Sequence, residues 1–256
     1  MDDFLNIVQM SDDDIVSYVN GKMLGLNSSI SYDDISLGDE GVIYSGWINL
    51  DTVYRPSGYR SKGFIFTKDF YIDWCKFIRE NFGMIDIKKL SSNINDTIII
   101  KAINLFINYY FGEGYNEERR KEIYCHGNWQ VANESINIST IKNENVARCI
   151  EKAAAFNGIA NTIGLDCSLV LSDAKLNGGD KIGHAYCLLN LNGKYIICDS
   201  TFSGRNNTNR GIPFIFDLNG EKVVFDSGKF GDIEPKTVEY DFPWNEFRKI
   251  NGRLYK

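Results

Sequence analysis

The sequence predicts an α+β fold, with helices packed on one side of an antiparallel sheet of about four or more strands. Three observations carry this. The segment 149–163 is an apolar, Ala-rich helix in which Ala153, Phe156, Ala160 and Ile163 recur at helical spacing. Two apolar runs, His184 to Asn190 and Lys194 to Asp199, flank Asn192-Gly193, the strongest short signal for a hairpin because a type I′ turn needs positive φ at both central positions. A second Asn-Gly pair, Asn219-Gly220, lies between Ile212–Leu218 and Glu221–Phe225 and predicts a second hairpin.

The chain has 256 residues, enough for one large domain or two small ones, and its apolar and charged fractions are those of a globular protein. A net charge of −6 argues against a nucleic-acid binder. There is no long uninterrupted apolar run, so no membrane-spanning helix is expected. The acidic start, Met1-Asp2-Asp3-Phe4, lacks the basic region of a secretory signal. Six cysteines without paired spacing suit a reduced compartment. The expected location is therefore the cytoplasm, or delivery by a route that needs no classical signal peptide.

Residues 1–30 read as a small helical cap. Ser11 and Asp14 form an approximate capping box ahead of Ile15, Tyr18 and Val19, and Asp12, Asp13 and Asp14 are helix-start charges rather than metal ligands. Residues 31–66 mix short strand-like runs with Gly and Pro: Val42 to Leu50 is a strand broken at Gly46, and Tyr54 to Lys62 is a loop carrying Arg55, Arg60 and Lys62. Asp69 to Asn81 is a helix with Trp74, Phe77 and Ile78 on its apolar face. The polar break Ser91 to Asn95 marks a boundary, giving a 1–92 extension and a 93–256 core. Thr97 to Phe111 is a second strong helix, and Tyr115 to Glu122 reads as its continuation after a Gly break. The tail, Val238 to Phe247, carries aromatics expected to pack back onto the core.

The chemistry gathers around Cys149. Asn145 is a plausible N-cap for the Ala-rich helix and Gly164 its left-handed stop, which puts Cys149 in the first turn. There the free N–H groups and the positive end of the helix dipole favour a thiolate. Symmetric pairing about Asn192-Gly193 sets Leu191 against Lys194 and Cys187 against Cys198, a pair expected to stay reduced. The same register makes His184 and Asp199 diagonal neighbours on one face. If the helix packs its N-terminus over that end of the hairpin, Cys149 can pass its proton to one imidazole nitrogen while Asp199 holds the other.

The residues Cys149-Ile150-Glu151-Lys152-Ala153, Gly164-Leu165-Asp166, Gly183-His184-Ala185-Tyr186 and Asp199-Ser200-Thr201-Phe202 together resemble the transglutaminase-like superfamily, whose core is shared with papain-type proteases. The resemblance covers about the middle quarter of the chain. Many members carry Gly shortly before the Cys, where this chain has Val146-Ala147-Arg148. The resemblance implies a transglutaminase-like core with Cys149 as nucleophile, His184 as general base and acid, and Asp199 as the orienting carboxylate. The implied reaction is cysteine-dependent amide hydrolysis or acyl transfer on a protein or peptide substrate, of protease, deamidase or transglutaminase type, without cofactor or metal.

An acyl transfer also needs donors for the tetrahedral oxyanion. The Cys149 backbone N–H is one; Gln130 or Trp129, both with side-chain N–H groups, are candidates for the second. His126 beside Cys125 lacks a partner pair and makes a poor zinc pattern. Glu151 lies two residues past Cys149 and points well around the helix from it. Two rival expectations share the triad-bearing core: an arylamine N-acetyltransferase-like enzyme using acetyl-coenzyme A, and a non-catalytic binding module.

Overall fold

The structure, a computed structural model, describes residues 2–26, 41–44, 53–54, 64–85, 96–112, 115–124, 136–176, 178–191, 194–201, 214–215, 222–226, 237–241, 248–250 and 253–255. Gln130, Trp129, His126 and the basic run Arg55, Arg60 and Lys62 lie outside them.

Helix and antiparallel sheet form the architecture, as the sequence predicts. The chain opens with α1 (Asp2–Gln9) and α2 (Asp12–Leu26). The Ser11 hydroxyl accepts the Asp14 N–H at 3.2 Å, and the Asp14 carboxylate accepts the Ser11 N–H at 3.1 Å, which is the predicted capping box. After β1 (Gly41–Tyr44), β2 (Val53–Tyr54) and β3 (Phe64–Ile65) come α3 (Lys68–Phe82), α4 (Asp96–Phe111) and α5 (Glu117–Tyr124). Helix α5 is a separate helix, not the predicted continuation of α4. The chain turns at Gly112, whose φ of +81° is a left-handed conformation that Gly adopts without a Cβ penalty.

Next come β4 (Ile136–Asn137), a 3₁₀ turn (Ile138–Ile141), α6 (Cys149–Thr162) and β5 (Asp166–Leu176). The hairpin strands β6 (Lys181–Leu191) and β7 (Lys194–Cys198) pair Leu191 with Lys194 and Cys187 with Cys198, the predicted register. Cys187 and Cys198 are both free thiols, as expected. The chain continues with β8 (Phe214–Ile215), β9 (Lys222–Asp226), β10 (Thr237–Asp241), β11 (Arg248–Ile250) and β12 (Arg253–Tyr255).

The main sheet has the order β8-β7-β6-β5-β10-β9, with β1 also on β5, and all of its pairings are antiparallel. This corrects one expectation. Among the described residues, the strands on either side of Asn219-Gly220 are not paired with each other: β8 pairs with β7 at one edge of the sheet, and β9 pairs with β10 at the other. Turn chemistry favours a local reversal, but long-range edge pairing decides where each strand lies.

One apolar cluster joins α1, α3, α4 and α6 to the inner face of the sheet, through Phe4, Phe70, Trp74, Phe106, Phe156 and Leu169 among others. Rings of α3 and α4 meet edge-on, with the Phe70 and Tyr110 centroids 5.1 Å apart. Helix α6 lies deep within this cluster. Every residue from Ile150 to Thr162 is buried, not the single apolar face the spacing predicts. The run Ala153-Ala154-Ala155 explains how: small side chains let neighbours approach from all sides. The polar residues buried with them are bonded. Asn157 and Asn161 each donate to the Cys167 carbonyl, at 3.0 and 3.2 Å, and Thr162 donates to the Gly158 carbonyl at 2.7 Å. The helix ends as predicted. Gly164 has φ +84°, its N–H reaches the Asn161 carbonyl, and the Leu165 N–H reaches the Ala160 carbonyl, a complete Schellman motif.

Candidate active site

Cys149 is the first residue of α6. Its N-cap is Arg148 in extended conformation, which corrects the expectation that Asn145 caps the helix. Asn145 instead takes a left-handed φ of 56° and bridges two elements: its N–H donates to the Phe111 carbonyl at the end of α4, and its carbonyl accepts the Asn116 N–H ahead of α5. An Asn tolerates this conformation better than most residues, and the same local hydrogen-bonding ability makes Asn a frequent N-cap.

The helix is docked on the sheet by Cys187, whose thiol donates to the Ala153 carbonyl at 3.1 Å. On β6 the residues Ala185, Cys187 and Leu189 face the helical core. Strand β7 ends at Cys198, opposite Cys187, so the β6 edge from Tyr186 back to Lys181 has no β7 partner. The start of α6 meets His184 at this end of the sheet, where the Cys149 thiol comes within hydrogen-bonding reach of the ring.

His184 Nε2 lies 2.6 Å from Asp199 Oδ2. That contact leaves Nδ1 as the nitrogen to face Cys149. Asp199 is held by two more donors: the Tyr240 hydroxyl donates to Oδ2 at 2.8 Å, and the Thr201 N–H donates to Oδ1 at 2.8 Å. The His184 ring stacks near Tyr186, with centroids 6.1 Å apart at 27°, and Tyr186 meets Tyr240 edge-on at 4.7 Å. The next residue, Ser200, donates to Asn104 Oδ1 of α4 at 2.5 Å, so the Asp199 turn is tied to the helical layer as well.

Burial and charge act in opposite directions on this pair. Burial disfavours the imidazolium, but the Asp199 charge and hydrogen bond, with the Cys149 thiolate adding to them, push His184 up to about 10. Burial likewise pushes the Asp199 carboxyl up; His184, the Tyr240 hydroxyl and the Thr201 amide outweigh it and hold the carboxyl below its usual range. An imidazolium–carboxylate pair is the resulting state at neutral pH. Of the cysteines described, Cys149 alone is partly exposed; Cys75, Cys167, Cys187 and Cys198 are buried, and burial pushes the thiol of Cys75 up to about 12.

The structure thus brings His184 and Asp199 into contact, with Cys149 beside the ring, while the predicted strand register holds as far as Cys187–Cys198 and Asp199 lies just past the end of β7. The oxyanion candidates Gln130 and Trp129 lie outside the described residues. Tyr240 is a residue that sequence reasoning missed. It sits in the tail read as packing aromatics, and its place on Asp199 comes from β10 pairing with β5, where Tyr240 is opposite Ala174. The alternation of Val238 and Tyr240 marks a strand, but not which strand it joins. Glu151, expected to point away from Cys149, is buried and reaches back to the Arg148 N–H at 2.9 Å.

Among the described residues, no group of three His, Cys, Asp or Glu side chains is placed to hold a metal ion, and no helix is long and apolar enough to cross a membrane. No family model matches the sequence, and no curated protein matches it.

Proposed function

We propose that this chain is a cysteine-dependent amide hydrolase or acyl transferase on a transglutaminase-like core. The observation that carries the proposal is that His184 meets both Cys149 and Asp199, with the thiol at a helix N-terminus and the carboxylate buried against the imidazole. The Cys149 thiolate attacks an amide or ester carbonyl, and a C–S bond forms as the carbonyl π pair moves onto oxygen. The Cys149 backbone N–H is one donor to that oxyanion. His184 gives its proton to the departing amine or alcohol as the C–N or C–O bond breaks, leaving a thioester. Neutral His184 then takes a proton from water or an amine as it attacks the thioester; the C–S bond breaks and the Cys149 thiolate leaves, restoring the thiolate–imidazolium pair. Water gives hydrolysis or deamidation; an amine gives transamidation. Asp199 keeps its charge throughout and stabilises the imidazolium. A carbonyl on a protein or peptide is the substrate class we assign.

The test is iodoacetamide alkylation across pH, followed by peptide mapping, on the wild type and His184→Ala. Cys149 is expected to react at pH values where an ordinary thiol, with a pKa of about 8.5, is silent. His184→Ala should abolish that early reaction. A Cys149 that titrates like an ordinary thiol in both proteins would sink the proposal. Where a substrate is found, full activity in Cys149→Ala would do the same. Exposure to acetyl-coenzyme A with intact-mass detection asks separately whether the acyl group is acetyl.

A further inference from the structure

The catalytic contacts leave one buried charged pair beside the nucleophile unused. Arg120 of α5 and Glu151 of α6 meet at 2.7 Å, and both are almost wholly buried, with side chains 2% and 0% exposed. The second Arg120 nitrogen, Nη1, donates to the Val146 carbonyl at 2.6 Å. The second Glu151 oxygen, Oε2, accepts the Arg148 N–H at 2.9 Å. The pair therefore grips both sides of the segment 146–151 that carries Cys149. A buried ion pair adds little stability over apolar side chains of similar volume, so its place matters more than its energy. Its place is the first turn of the nucleophile's own helix.

Glu151 sets a buried carboxylate in the first turn of the nucleophile's helix, two residues past Cys149, at the helix end where a thiolate is otherwise favoured. Alone it would raise the cost of the Cys149 thiolate. Arg120 cancels that charge while the carboxylate keeps the hydrogen bond to the N-cap amide. We infer that Arg120 and Glu151 are positioning residues for Cys149, a charge-compensated mount that fixes the turn bearing the nucleophile without opposing its thiolate. The inference rests on Cys149 being the nucleophile.

Other charges around the thiol belong to different elements. His184, with Asp199 behind it, faces Cys149 from the sheet. Arg148 precedes it, bonded to Glu117 at 2.8 Å and to the Tyr115 hydroxyl at 2.5 Å. Lys152, one turn along α6, reaches Asn108 Oδ1 of α4 at 3.3 Å.

The experiment measures the pH midpoint of Cys149 alkylation in the full chain for Arg120→Met, Glu151→Gln and the double variant. A mount that acts through charge gives opposed shifts. Arg120→Met leaves the carboxylate uncompensated and moves the midpoint up. Glu151→Gln leaves the guanidinium uncompensated and moves it down. Each shift should be on the order of one pH unit, the size by which one neighbouring charge ordinarily moves a titrating group. The double variant should return close to the wild type. A merely structural role gives shifts of one sign, or slower alkylation with no shift, and either result overturns the inference. Should Arg120→Met not fold, the near-isosteric Glu151→Gln decides alone: a downward shift supports the mount, and none or an upward one overturns it. The wild-type midpoint tests the acyl-transfer proposal, whereas the difference between variants tests the mount wherever that midpoint falls.

Discussion

Replacing Asp199 by Asn removes the charge that holds His184 protonated while keeping the shape of the side chain. The Asp199 charge and hydrogen bond outweigh burial and push His184 up to about 10 from an ordinary 6.5. At about 1.36 kcal/mol per unit, this sets a ceiling of about 5 kcal/mol on what protonated His184 contributes. Breaking a buried pair by removing one partner costs about 3–5 kcal/mol, which agrees. The sign follows from the raised value. The contribution is fully present below about pH 6.5, where the unfolded chain also carries the proton, and is lost as pH rises through about 10. Asp199→Asn should therefore destabilise the fold by about 3–5 kcal/mol at pH 6, and by much less near pH 10. Urea unfolding at the two pH values measures this difference. Proton NMR checks the cause directly. The chain has two histidines, so a His126→Ala background assigns the His184 ring signal. It should titrate far above 6.5 in the wild type and fall by about three units in Asp199→Asn, where burial acts against the remaining influence of Cys149. A wild-type ring that titrates near 6.5, or one that Asp199→Asn leaves unmoved, refutes the reasoning.

Tyr240→Phe removes one of three donors to Asp199 and leaves the ring packing in place. The Asp199 carboxyl is depressed in the fold, so its contribution is present above about pH 3.8 and lost as pH falls. The variant raises that carboxyl, so acid unfolding should begin at higher pH, with about 1.5–3 kcal/mol lost at neutral pH. An acid midpoint equal to or below the wild-type value contradicts this. Gly112→Ala places a Cβ where φ is +81° and where Asn145 Oδ1 would lie 2.1 Å away. It should cost about 1–3 kcal/mol in chemical unfolding, and a loss within error of zero would show that the 112–145 contact is slack.

What the sequence disclosed and what it hid divide along the range of the interactions. The hairpin register was legible because the Asn-Gly signal in the sequence sets Leu191 against Lys194, and alternation then carries the pairing back to Cys187 and Cys198 without knowledge of the rest of the sheet. The end of α6 was legible for the same reason: Gly164 satisfies helix carbonyls within its own turn. Tyr240 was not, because it reaches Asp199 across 41 positions through a pairing of β10 with β5 that no local pattern specifies. Arg120 was hidden likewise, 31 positions before Glu151 and in a helix whose charges look solvated in sequence. The misplaced N-cap shows the converse. Asn145 has the chemistry of a cap, but its backbone is taken up by the ends of α4 and α5, so the helix starts three residues later than that chemistry suggests.

The gradation of burial across the three residues bears on how the site is meant to work. Asp199 is 1% exposed and His184 2%, whereas Cys149 is only partly covered. A buried carboxylate needs its lone pairs filled, and here His184, Tyr240 and the Thr201 amide fill them. Its charge is then spent on the imidazolium, which is itself sealed from water. A proton held on His184 in that setting has no exit through the sheet. Its acceptor is whatever lies beside Cys149, the one member of the set at the surface. Under the proposed acyl transfer, the pair would hold a proton until a group arrives at the thiol, as a leaving amine requires. A binding module on such a fold would not require Cys149 to react early in pH. The His184→Ala alkylation profile therefore discriminates between the two readings before any substrate is known.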